Sequence, residues 1–525
     1  MQRIESTIGL AIEKLTKFAY IVFGMIALFT LLVYRTVVDV AAKMTEDQNL
    51  IRQYVLPNPV LLLLGLTITA GLMFLLYRFR NHIHFTEKQY VVFLLTGLFL
   101  VAKIWISWEI LFKTDWDAGW MFSVAKCLNN GEPQSTPYLS MFPFNLITVE
   151  YLRLCIKIGT FLNPNGIEPG LITVMVLNCV QVAITALLVF DFVQNIVNSR
   201  RLAWVTWICY ILFIGTSPWV CIPYTDSMTF MIPTLVLWLY MKLQEKKCTI
   251  GIWAMMAFFA YWGYRIKGVA LLVFLSILLT QLLHVMREHS MDVKHTVLSV
   301  GSMALVMLLS SMLLIPGLIK HTTVPYNPNH NLGLEYLICV GLNPWSHGTF
   351  NATDYDMAYA YPDKEERHEE IMRAIQKRLD DYGASGLLEH QLVKSVIIFD
   401  DGTFAWSQEG GFYKELFPEY DWFTPRLRNI FYEMGDHFGA YISMAQLIWL
   451  TVLVLSLGLV LFKPQEKYHD VVLALTMSIA AMFVFVELTE ARARYLYTFS
   501  PLYLIAGVIG AYVMYQRLFN KKTTD

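Results

Sequence analysis

The chain has 525 residues, of which 56% are hydrophobic and only 15% charged. Ordinary soluble domains carry about 25% charge, so this composition excludes a soluble globular protein and implies a polytopic membrane protein. A formal net charge of −1 offers no electrostatic footprint for nucleic acid.

In chain order, apolar runs able, or nearly able, to cross about 30 Å of hydrocarbon predict twelve spans. They lie at 17–34, 58–78, 89–112, 170–195, 203–217, 225–241, 249–263, 267–286, 297–318, 438–462, 470–488 and 495–516. The first run, Phe18 to Tyr34, leads into a polar loop with no small-residue cleavage site, so it reads as a retained span. A further apolar stretch, Phe144 to Leu162, carries Glu150, Arg153 and Lys157 and is expected to lie on the membrane face rather than cross it. The long segment 319–437 predicts a small, mainly helical domain. Its charged helix Asp363 to Asp381 is stopped by Gly383, and a second helix from Ser385 to about Ile398 ends at Asp400-Asp401-Gly402. Aromatic residues follow at Phe404, Trp406, Tyr420, Trp422 and Phe423. The expected division is 1–112 (N-terminal spans), 113–169 (first outer loop with surface helices), 170–318 (central spans), 319–437 (extracytoplasmic domain) and 438–525 (C-terminal spans).

Lysine and arginine in short loops mark the cytoplasmic side. Arg78, Arg80, Lys88, Arg200, Arg201, Lys242, Lys246, Lys247, Arg287, Lys294, Lys463, Lys467, Lys521 and Lys522 all fall on one side if the N-terminus is inside. Twelve spans then leave both termini cytoplasmic and place 113–169 and 319–437 outside.

Chemistry-bearing residues collect in the predicted outer loops. Asp115 and Asp117 stand at the mouth of a span, beside Trp116, Trp120 and Phe122. A carboxylate there suits a general base acting on a hydroxyl, provided it lies within hydrogen-bond reach. The turn Ser217 to Asp226 contains Tyr224 and a carboxylate expected at a cavity or the water boundary, or capping the next helix. Arg265 and Lys267, two residues apart in a short outer turn, suit a phosphate and run against the positive-inside bias. Glu487, Glu490, Arg492, Arg494 and Tyr495 form another charged outer loop. Lys103 lies inside the third span, where it is expected to snorkel outward or pair with Glu109. The seven cysteines are scattered with no CxxC or Cys/His cluster, and no metal or cofactor is indicated.

Two stretches carry a family resemblance. Asp117-Ala-Gly-Trp-Met-Phe-Ser-Val-Ala-Lys-Cys-Leu-Asn-Asn-Gly131, followed by Tyr138 and Pro143, resembles the first outer loop of GT-C superfamily membrane glycosyltransferases. These include protein O-mannosyltransferases and the lipid A aminoarabinose transferase. Ala493-Arg494-Tyr495 through Pro501 is similar to their late Arg-Tyr…Pro motif. The resemblance implies an all-α, GT-C-like fold and an inverting transferase working on the outer face of the cytoplasmic membrane. Such an enzyme moves a monosaccharide from a polyprenyl-phosphate donor to a hydroxyl of a glycan or lipid-linked acceptor. It further implies Asp117 as base with Asp115 its neighbour, Asp226 as a second carboxylate, and Arg265, Lys267, Arg492, Arg494 and Tyr495 around the donor phosphate. Tyr138, Tyr224 and Lys103 would complete the pocket. The family usually carries an acidic residue directly after the base; here that position is Ala118, which leaves the base open between Asp115 and Asp117. Rival readings are a polysaccharide polymerase or ligase, and a transporter or flippase of lipid-linked sugars. The transporter predicts buried charges in several spans and internal repeats, of which only Lys103 is seen.

Overall fold

Hydrocarbon offers backbone amides no partner, so an apolar run must satisfy them within its own helix. The structure, a computed structural model, describes residues 2–43, 50–82, 86, 88–132, 138–245, 249–288, 293–314, 316–317 and 326–519. Lys246, Lys247, Cys248, Lys521 and Lys522 lie outside the described residues.

Three long helices open the chain: α1 (Thr7–Val37), α2 (Asn58–Arg78) and α3 (Gln89–Glu109). A short strand β1 (Phe112–Lys113) leads to α4 (Asp117–Asn129) and the amphipathic α5 (Phe144–Leu162). The central group is α6 (Pro169–Val197), α7 (Arg200–Tyr210), α8 (Ile232–Leu243), α9 (Thr249–Ile266), α10 (Gly268–Arg287) and α11 (Val293–Leu314). After it come α12 (Leu334–Gly341), α13 (Ala352–Ala360), α14 (Lys364–Phe399), strand β2 (Glu415–Leu416) and α15 (Phe423–Phe431). The chain ends in α16 (Phe438–Leu461), α17 (Glu466–Leu488) and α18 (Ala493–Phe519).

Among the described residues, nine of these helices are long and apolar enough to cross a membrane, against the twelve expected. The three that fall short are α7, α8 and α9. Helix α7 has 11 residues, continued by a five-residue π-helical stretch before Ser217-Pro218 ends it. Helix α8 has 12, with Pro233 in its first turn. The 18 residues of α9 include Tyr261, Trp262, Tyr264 and Arg265, which dilute its hydropathy. Polar contacts anchor the ends of α7 and α8. Arg200 donates to the Thr86 carbonyl (2.9 Å) and Lys242 pairs with Asp191 (2.8 Å) at one end, while Trp219 donates to the Thr403 carbonyl (3.0 Å) at the other.

Helix α16 is packed closely on several sides. A Cβ at Gly24 of α1 would run into Leu457, one at Gly65 of α2 into Thr451, and one at Gly510 of α18 into the Leu455 carbonyl oxygen. Lipid supplies no hydrophobic drive between helices, so close backbone approach at small residues is how such contacts gain dispersion energy.

The segment expected as a separate domain divides in two. Its first part has a small core of its own, made of Tyr336, Cys339, Val340, Ala358, Ile371 and Ile375. Helix α14 starts at the N-cap Asp363, whose carboxylate accepts from the amides of Glu365 and Glu366, and kinks where Gly383 takes φ 56°. Beyond the kink, Val393 to Phe399 sink into the main bundle core, and Phe404 and Trp406 follow them. This second part is therefore continuous with the spans.

A clamp of buried charges holds that descent. Asp400 pairs with Arg35 and accepts from Asn58 (2.7 Å) and Gln446 (2.8 Å), while Asp401 pairs with Arg52 (3.2 Å). Removing one partner of a buried pair leaves an uncompensated charge, which costs about 3–5 kcal/mol. Asp400→Ala is expected to lower the unfolding free energy by that order and with it the thermal midpoint in detergent; an unchanged midpoint would show that the clamp does not hold the segment.

Candidate functional site

The pairing of β1 with β2, Phe112 opposite Leu416 and Lys113 opposite Glu415, ties the first loop to the later segment. Asp115 extends this contact through its amide, which donates to the Gly411 carbonyl (2.9 Å). Its side chain turns outward, 58% exposed, and pairs with Lys414. Two residues on, the backbone enters α4. A Cβ at Gly119 would overlap the Thr114 carbonyl, and Ala118 is fully buried, so this tight turn leaves no space for a larger side chain at either position.

Asp117 thereby points the other way, into the protein. The Tyr224 hydroxyl donates to its Oδ2 (3.2 Å), and Tyr138 hydrogen-bonds it as well. Burial raises the Asp117 carboxyl above the usual carboxylate range, and the Arg494 guanidinium offsets this only in part.

Arg494 is the hub of the opposite wall. Its guanidinium lies over the rings of Trp116 (4.9 Å), Tyr224 (5.2 Å) and Tyr495 (5.7 Å), the arrangement of a cation–π contact. It forms an ion pair with Glu409 at 2.8 Å. Arg492 reaches the same carboxylate at 3.8 Å and Glu490 at 3.3 Å. The Tyr495 hydroxyl donates to Glu490 (2.6 Å). Lys267 stands 4.5 Å from the Tyr495 ring centroid and pairs with Asp226. Burial pushes the Glu409 carboxyl up, and Arg492 and Arg494 together more than reverse it, holding Glu409 below the usual range.

Of the residues expected from sequence, the fold gathers Asp117, Tyr138, Tyr224, Asp226, Lys267, Arg492, Arg494 and Tyr495. Three lie apart. Asp115 faces Lys414, so the two aspartates do not converge. Lys103 neither snorkels nor meets Glu109: it is buried and donates to the Ser217 carbonyl (2.6 Å), while Glu109 accepts from Thr424. Arg265 is half-buried and has no ion-pair partner among the described residues. The Ser217–Asp226 turn is also deeper than expected. Every residue from Ser217 to Phe230 is buried, and Tyr224, not Thr225 or Asp226, occupies the cap position of the short helix Thr225–Met228.

Glu409 was not singled out from sequence. A lone acid before Gly410-Gly411 carries no pattern, and only the fold brings it between two arginines 83 and 85 positions away. Three polar atoms in the cluster are buried with no hydrogen-bond partner among the described residues: Arg494 Nε, Asp226 Oδ2 and Trp116 Nε1. Among the described residues, no group of three or more His, Cys, Asp or Glu is placed to hold a metal ion. A cleft of about 220 Å³ between α4, α5 and the start of α6 is lined by Phe122, Lys126, Ile156, Thr160 and Glu168 and includes none of the cluster.

A family described as "conserved hypothetical integral membrane protein" matches residues 11–513, nearly the whole chain. The chain belongs to that family. No curated protein and no solved structure is significantly similar to it. The integral-membrane character agrees with the helices, while the charged cluster is specific chemistry that the family description leaves open.

The raised Asp117 carboxyl has a consequence for stability. The folded protein keeps that proton to higher pH than the unfolded chain, so the contribution favours folding below the ordinary carboxylate range. It is lost as pH rises through the raised value. Asp117→Asn retains the neutral form at every pH. It is expected to melt with the wild type at about pH 4 and above it at about pH 8; a lower melting temperature at both values would mean that the ionised carboxylate is a net structural support.

Proposed function

We propose that this protein is an inverting, GT-C-type membrane glycosyltransferase that moves a monosaccharide from a polyprenyl-phosphate carrier to an acceptor hydroxyl. One observation carries the reading: an aspartate and an arginine meet on a single tyrosine. Asp117 is held by the Tyr224 hydroxyl while Arg494 lies over the face of the same ring. A base and a phosphate-binding cation thus share one aromatic side chain between them.

In this reading the Asp117 carboxylate takes the proton of the acceptor hydroxyl as that oxygen bonds to the anomeric carbon. The bond from the anomeric carbon to the phosphate oxygen breaks on the opposite face, and polyprenyl phosphate leaves with the electron pair. Arg494 and Arg492 receive the developing charge, assisted by Lys267, in a site that excludes bulk water. The unpartnered Arg494 Nε supplies a donor not already committed to Glu409. A carboxyl raised by burial is a better base near neutral pH than an ordinary aspartate.

The location follows from the charge bias. With α7, α8 and α9 taken as crossings, the twelve helices alternate, both termini are cytoplasmic, and the Asp117 end faces outward. Basic residues such as Arg200, Lys242 and Arg287 then collect at the cytoplasmic end. The acceptor would belong to the cell envelope. No metal or cofactor is required by this scheme.

The test uses purified protein in lipid with a panel of polyprenyl-phosphate sugars and crude envelope acceptors, following release of free polyprenyl phosphate. Wild type is expected to release it from at least one donor, and Asp117→Asn to fall by about 10²–10⁴-fold. Equal release by both proteins removes Asp117 as the base. No release from any donor by well-folded wild type overturns the transferase reading.

A further inference from the structure

Helix α13 carries two aromatic rings at the edge of the small core, one packed against it and one mostly exposed. It begins at Asn351, whose side chain accepts from the Thr353 amide (2.9 Å). Asp354 and Ala358, one turn apart, face inward. Asp354 is bolted down by Asn343 (2.9 Å) and by a buried ion pair with Arg378. That leaves Tyr355 and Tyr359, also one turn apart, along the edge of the core. Their rings are parallel to within 4°, with centroids 6.3 Å apart. Tyr359 is 55% exposed. Two aromatic side chains held parallel on a rigid helix, one of them mostly in solvent, form a surface for a flat partner.

A line of ring contacts runs from the Asp117 site to the core beneath that surface. Tyr138, which hydrogen-bonds Asp117, meets Trp120 (4.8 Å) and Phe142 (5.0 Å). Phe142 in turn meets Tyr336 (6.0 Å), and Phe142 and Tyr355 pack against the same small core. Burial first, then Tyr359, Asp356 and the Asp117 carboxylate, hold the Tyr355 hydroxyl above its usual range. The Tyr336 hydroxyl, buried within this line of rings, has no hydrogen-bond partner among the described residues.

We infer that Tyr355 and Tyr359 form a subsite for an uncharged, pyranose-containing glycan that leads into the Asp117 site. The occupant's role as acceptor rests on the transferase reading above. The chemistry is that of one face of a pyranose ring, whose axial C–H groups lie flat on an aromatic π-face, while its hydroxyls reach the tyrosine edges. Charge selects against anionic polymers, because the exposed Asp356 places negative charge beside Tyr355. The parallel rings suit consecutive sugars of a chain better than a lone hydroxyl group.

The experiment measures binding of mannotetraose, maltotetraose, chitotetraose and the anionic tetragalacturonate to the full chain in lipid nanodiscs by saturation-transfer NMR, without donor. At least one neutral tetrasaccharide is expected to bind wild type. Tyr355→Ala and Tyr359→Ala are expected to weaken it by about fivefold or more, and Tyr359→Phe to leave it within about twofold. Tyr359 is mostly in solvent, so its alanine variant tests the surface even if the Tyr355 variant fails to fold. The inference is overturned if no neutral probe binds wild type, if Tyr359→Ala binds as wild type does, or if tetragalacturonate binds as tightly as the neutral probes. The two readings separate cleanly. Tyrosine-dependent glycan binding without turnover of any donor keeps the subsite and removes the transferase. Turnover with acceptor KM unchanged in Tyr359→Ala keeps the transferase and removes the subsite.

Discussion

The structure depends on taking a charged loop out of water and into the head of a helical bundle. Asp400 and Asp401 follow the last apolar turn of α14 below the surface, where an unpaired carboxylate would cost several kcal/mol. Arg35 at the end of α1 and Arg52 ahead of α2 neutralise them, and Asn58 and Gln446 both donate to Asp400 Oδ1. Asp401 also accepts from the amides of Thr403 (2.8 Å) and Ala405 (2.7 Å), which winds the next residues into a tight path. Phe404, Ala405 and Ser407 all take positive φ there, between 58° and 67°. Such strain persists only where the surroundings over-determine it, and here the buried pairs do so.

The result of that path is Glu409. It arrives between Arg492 and Arg494 and makes two like charges tolerable in a buried site. The cluster as a whole has four carboxylates (Asp117, Asp226, Glu409, Glu490) and three cations (Lys267, Arg492, Arg494). Asp226 answers Lys267, and Glu409 and Glu490 answer the arginines. Asp117 is left with tyrosine hydroxyls and a more distant guanidinium, so it is the carboxylate whose charge is least compensated. In the transferase reading, an added anion would meet the arginines in competition with Glu409.

Periodicity and composition made much of the architecture readable. Nine of the expected spans are long apolar helices with ends within a few residues for most, because lipid forces each run to satisfy its own backbone. The kink at Gly383 was legible because glycine alone enters that backbone region freely. The misread stretches are those where tertiary contacts replace lipid. The Ser217–Asp226 turn read as an outer turn with Asp226 at a cavity, at the water boundary or capping the next helix, and the segment after α14 covers it, with the Thr403 carbonyl accepting from Trp219. Lys103 looked like a membrane charge in need of a carboxylate and is satisfied by a backbone carbonyl instead.

The sequence by itself determined that this is a helical integral membrane protein, and which short segments between its helices concentrate charge and aromatic rings. Those properties are local: a side chain's hydropathy and a run's length do not depend on the rest of the chain. Only the tertiary structure decided that Asp117 faces the arginines while Asp115 faces Lys414, and that Glu409 joins them. Asp115 and Asp117 are two residues apart and chemically identical. Their difference comes from the β1–β2 pairing and the tight turn at Gly119, which rotate the backbone between them. Contacts across hundreds of residues are set by packing geometry, and packing geometry is written in no single stretch of the chain.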